Sequence, residues 1–99
     1  MNDSTHDTEK EIFANLKAIL AEIIDEDELD ILGFNMDSVF YTDLMIDSIG
    51  LIYFVEGVNI LYGNKISIAN WLSGKTMQDF FRITIGDVVR YIKGGLSAE

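Results

Sequence analysis

The chain has 99 residues, enough for one domain with a modest core and too few for several. Its 48% apolar content argues against disorder, its lack of cysteine removes disulfide and thiolate chemistry, and its net charge of −10 argues against nucleic acid, whose phosphates are bound by Lys and Arg. No run approaches the ~20 apolar residues of a membrane span, and no basic segment followed by an apolar one suggests a signal peptide, so a soluble cytoplasmic monomer is expected.

The charge is unevenly spread. Residues 1–47 carry 13 acidic residues against two lysines, whereas residues 48–99 carry four against five bases. Basic surfaces on partner proteins are the expected counterpart of such a chain.

Residues 1–7 are polar and read as an N-terminal tail, with His6 isolated from any second ligand or base. Thr8 and Glu11 have the spacing of a capping box that opens a helix. Ile12, Phe13, Leu16, Ile19, Leu20, Ile23 and Ile24 then recur at helical steps and form one core-facing stripe. Asp25-Glu26-Asp27-Glu28-Leu29-Asp30 ends that pattern. A calcium loop fails there, because Leu29 and Met36 fall where oxygen ligands are required, so a solvated acidic turn is expected. Residues 31–43 read as a long ordered connection, pinned to the core by Phe34 and Phe40.

Asp47 stands where a helix N-cap is needed, with Ser48 as the first helical residue. A helix entrance offers free N–H groups and a partial positive charge, so it tolerates an attached phosphate. The apolar run from Ile49 to Tyr62 follows. Leu51, Ile52, Val55, Val58 and Tyr62 form the expected inward stripe, but Tyr53, Phe54, Ile60 and Leu61 make most other sides apolar too. Such a helix is usually buried on more than one side. Tyr62-Gly63-Asn64-Lys65 marks its stop. Residues 67–82 read as two short helical pieces broken at Ser73-Gly74-Lys75, covering the apolar surface of the preceding helix. Thr84 caps a last helix with Asp87 three residues on; Ile85, Val88, Val89 and Ile92 share one face, and Gly94-Gly95 are expected to end it.

Leu44-x-x-Asp47-Ser48-Ile49 resembles the Asp-Ser-Leu signature of acyl carrier proteins, and Thr84-Ile85-Gly86-Asp87-Val88-Val89-Arg90-Tyr91-Ile92 is similar to that family's closing helix. The resemblance covers roughly residues 8 to 94, and residues 67–82 match poorly. It implies an all-α fold: a small four-helix bundle of acyl-carrier-protein type over residues 8–94, with an extended helical segment before the last helix and a C-terminal tail at 95–99. It also implies that Ser48 receives 4'-phosphopantetheine from coenzyme A, with Asp47 and Ile49 flanking the attachment point. The partners it implies are a phosphopantetheinyl transferase and acyl-transferring or condensing enzymes of fatty-acid, polyketide or specialised lipid biosynthesis. Candidates for an acyl pocket are Ile52, Val55, Trp71, Leu72, Phe80 and Phe81. Glu56 is the only charged residue of the Ser48 helix after its cap, where family members commonly show more acids, and this departure suggests a specialised pathway.

Two other readings use the same residues: a peptidyl or aminoacyl carrier, and an unmodified helical interaction module. An enzyme is not expected. With no Cys and one His in the tail, neither a Cys–His nor a Ser–His arrangement can be built, Ser48 has no candidate base, and no metal site is expected.

Overall fold

The computed structural model describes residues 8–63 and 66–97. Among these the fold is all-α: α1 (Glu9–Ala21), α2 (Glu26–Ile31), α3 (Ser48–Tyr62), α4 (Ile68–Ser73), α5 (Met77–Phe80) and α6 (Ile85–Ser97). The expectations for His6 and the 1–7 tail, and for Asn64 and Lys65, lie outside the described residues.

Two reciprocal caps open α1 and α6. The Glu11 amide donates to Thr8 Oγ1 at 3.1 Å while the Thr8 amide donates to Glu11 Oε1 at 2.9 Å. Asp87 and Thr84 repeat the exchange at 3.0 Å in each direction. Each exchange satisfies two amide donors that would otherwise lack partners. Ile12, Leu16 and Leu20 of α1 are fully buried, as are Ile85, Val89 and Ile92 of α6, and these helices pack directly on each other. α3 packs on α1 and α4.

The acidic block is a helix, not a solvated turn. Leu29 is fully buried and holds α2 against α1, while Glu26, Asp27 and Glu28 occupy the first turn, where the helix dipole favours negative charge. Lys17 of α1 also pairs with Asp30 at 3.1 Å.

The connection from α2 to α3 is held to the start of α6. The Phe40 amide donates to Ile83 O at 3.1 Å, the Ile85 amide to Ser38 O at 2.9 Å and the Gly86 amide to Met36 O at 2.7 Å. Phe40 meets Phe54 edge-on at 4.9 Å, and Phe34 lies 5.0 Å from Phe13. The aromatics pin the connection as the sequence predicts, with an antiparallel bridge, Val39 to Thr84, beside them.

α3 turns its buried line differently from the expected stripe. Gly50, Phe54 and Val58 face inward, Leu51, Val55 and Tyr62 are half-buried, and Ile52 is 62% exposed. Its outer face remains open, with Ile49 63% and Ile60 85% exposed, so the helix is not enclosed on several sides. Gly63, with φ 64°, ends α3 in the conformation that glycine takes most easily. Gly94 and Gly95 do not end α6. Both stay outside the positive-φ region, and the helix continues to Ser97 because Leu96 still packs on the core. The segment expected as a tail from residue 95 therefore begins as helix. Between α3 and α6, the two short pieces α4 and α5 flank the expected break.

Candidate functional site: the entrance of α3

Leu44 and Ile46 are buried and anchor the approach to α3, while Met45 between them has φ 56° and is exposed to solvent. This local kink lets two apolar neighbours enter the core and delivers Asp47 to the helix end. The Asp47 carboxylate accepts the Gly50 amide hydrogen at 2.8 Å, and the Asp47 carbonyl accepts that of Leu51 at 2.9 Å. Ser48 is thus the first residue of α3 and is exposed to solvent. Among the described residues, neither its hydroxyl nor the amides of Ser48 and Ile49 have a hydrogen-bond partner. A hydroxyl and two free amide donors at one helix entrance suit a phosphate ester on Ser48. Asp43, one turn of chain earlier, is occupied in accepting the Val39 amide hydrogen at 2.9 Å.

Beside this entrance an open groove of about 740 Å³ runs between the end of α1 and the outer face of α3. Ile19, Ile23, Ile49, Tyr53 and Ile60 supply its apolar walls, Glu22, Asp47 and Glu56 its charges, and among the described residues no Lys or Arg lines it. The groove requires α1 and α3 to come close, and Gly57 permits this. A β-carbon there would lie 2.7 Å from Ile19 Cγ2.

The acyl-pocket candidates do not form one chamber. Trp71, Leu72 and Phe80 meet around an interior space that Phe40, Leu51, Phe54 and Ile68 also border. Its volume is about 10 Å³, at or below the ~10–15 Å³ that one water needs, so side chains fill it. Val55 packs half-buried on the core outside this space, and Ile52 is on the open face. Phe81 is also outside it and lies 4.6 Å from the Tyr41 ring. The sequence places the 67–82 segment over the helix that carries Leu51 and Phe54, but it does not reveal that Phe40 shares this space with Trp71, because an aromatic in the connection says only that it reaches the core.

Among the described residues no group of three His, Asp or Glu side chains could hold a metal, and no helix is long and apolar enough to cross a membrane. At the start of α6 the Asp87 carboxylate has a displaced titration. Partial burial pulls it upward, but hydrogen bonds from the Thr84 amide, Arg90 and the Thr84 hydroxyl, with the Arg90 charge, outweigh that and hold it below its ordinary value of 3.8.

Fold and site together define a compact all-α globule with a solvent-facing serine at a capped helix entrance. Compared with known proteins, the chain matches no family model, no curated protein and no solved structure.

Proposed function

We propose that this chain is an acyl carrier, modified on Ser48 by 4'-phosphopantetheine. The observation that carries the reading is the entrance of α3: an exposed Ser48 hydroxyl, placed by the Asp47 cap, with free Ser48 and Ile49 amides beside it. In this reading α1, α3, the α4–α5 segment and α6 correspond to the helices of a carrier bundle, and α2 is an added turn on the connection.

The residues present fit the prosthetic group. Ser48 provides the oxygen for the phosphodiester, the free Ser48 and Ile49 amides would serve its phosphate as donors, and solvent exposure admits a transferase. When bound, the arm supplies a terminal thiol that holds acyl groups as thioesters. The protein's part is to fix the attachment point, since tethering raises the local concentration of the cargo at each enzyme visited. Activation of the hydroxyl belongs to the transferase. The acidic groove beside Ser48 suits enzymes with basic surfaces, through brief contacts that weaken in salt.

The exposed apolar face of α3 also favours a second reading, an unmodified module that docks other proteins through that helix. Intact-mass measurement after incubation with coenzyme A and a broad-specificity transferase separates the two. The carrier reading predicts one added group, abolished by Ser48→Ala; the module reading predicts none. Loading with acyl and aminoacyl donors then tells an acyl carrier from a peptidyl one.

A further inference from the structure

A second cleft, of about 530 Å³, lies between the end of α4, α5 and α6 and shares no lining residue with the groove beside Ser48. Lys75, Arg82 and Arg90 line it, three of the seven bases in a chain with 17 acids. In so acidic a molecule a base should readily find a carboxylate. Yet among the described residues neither Lys75 nor Arg82 has one within ion-pair distance, although Asp79 lines the same cleft. Lys75 Nζ instead lies 4.5 Å above the Trp71 ring.

Arg90 is held in place. Its guanidinium donates to Asp87 Oδ1 at 3.1 Å and rests over Gly86, where a β-carbon would approach Nη1 to 3.2 Å. One partner leaves most of its five donors unused. Asp87 is already committed to Arg90 and to the Thr84 cap, so it competes weakly for the other bases. The floor is fixed as well. Trp71 and Tyr91 stack at 4.9 Å with 15° between their planes, and the Tyr91 hydroxyl donates to Ser67 O at 3.2 Å.

We propose that this cleft binds a small organic phosphate, with the phosphate among Lys75, Arg82 and Arg90 and the organic body against Trp71 and Tyr91. A terminal phosphate group offers several acceptor oxygens and close to two charges to the several donors that line the cleft, which a single carboxylate does not. The cleft is open to solvent, and its volume falls in the size range of small-molecule sites. An extended acidic peptide would meet the repulsion of the −10 chain along its length, whereas a compact ester meets mainly the local bases. That same net charge keeps the affinity low, with a dissociation constant on the order of 1 mM. The proposal is independent of any modification of Ser48.

Trp71 is the only tryptophan, so its emission and its indole N–H resonance report from a single place, the floor of this cleft. The full chain is titrated at low salt with ADP, inorganic phosphate and adenosine. ADP should give a saturable change, inorganic phosphate a weaker one and adenosine none. Arg82→Gln, which leaves the Lys75–Trp71 contact in place, should weaken ADP about tenfold, while Lys93→Gln, on α6 outside the cleft, should leave it unchanged. Four results would each overturn the proposal: no response to millimolar ADP, an equal response to adenosine, an equal loss in both variants, or inorganic phosphate binding as tightly as ADP. The last would assign the cleft to the free ion.

Discussion

The Asp47 carboxylate and the Gly50 amide, 2.8 Å apart, set the first turn of α3 and therefore the position of Ser48. An aspartate cap is worth ~1 kcal/mol, so Asp47→Ala should lower the melting temperature by about 4–8 °C, and Asp47→Asn by much less. Thermal unfolding followed by circular dichroism measures both. Equal losses in the two variants would mean that the carboxylate does not act as a cap.

Phe54 and Ile52 are two residues apart in sequence and opposite in environment: Phe54 is 1% exposed and Ile52 faces solvent. Phe54→Ala should cost ~3–5 kcal/mol in denaturant unfolding, much of the stability of a domain this size, and Ile52→Ala within ~0.5 kcal/mol. The reverse order would restore the register expected from the sequence.

That register was hard to read because apolar side chains occupy almost every side of α3, so periodicity cannot select the buried one. α1 and α6 were legible because their caps and stripes are local and agree with each other. α2 was hidden by its own charges, since Leu29 is the one buried anchor in a run of acids. The end of α6 misled because glycine permits a stop without requiring one, and Leu96 is what keeps the last turn folded. Ser48 was legible for the same reason as α1, its geometry resting on neighbours within one turn. The groove beside it was not, because it depends on the meeting of Gly57 with Ile19 from a distant helix. Nor can composition reveal that the space among Trp71, Leu72 and Phe80 is closed.

The Gly57–Ile19 contact supplies a test of helix spacing. Alanine normally stabilises a helix relative to glycine by ~1 kcal/mol, but here its β-carbon collides with a β-branched side chain that has one preferred rotamer. Gly57→Ala should therefore destabilise by about 1 kcal/mol net of that gain, as overpacking does. In the background of Ile19→Ala the same change should stabilise instead, giving a coupling that a double-mutant cycle in urea would measure. Additive effects would indicate that α1 and α3 are further apart.

Asp87 predicts a pH dependence. Its folded-state value lies below the ordinary 3.8, so the unfolded chain takes up the proton first as pH falls. The stability it contributes is full above 3.8 and is lost as pH drops through its lower folded value. The stability difference between the protein and Asp87→Asn should therefore be constant near neutrality and shrink in strong acid. A constant difference across that range would show that the carboxylate charge is not what the cap and Arg90 hold.

Acyl carriage by this chain requires that Ser48 accept a phosphopantetheine arm. The most direct measurement is mass analysis of the intact chain, and of its Ser48-containing peptide, after reaction with coenzyme A and a broad-specificity transferase. A single added phosphopantetheine group, located on Ser48 and missing from Ser48→Ala, is the expected result. An unmodified chain under conditions that convert a known carrier, or an adduct that survives Ser48→Ala, would contradict it.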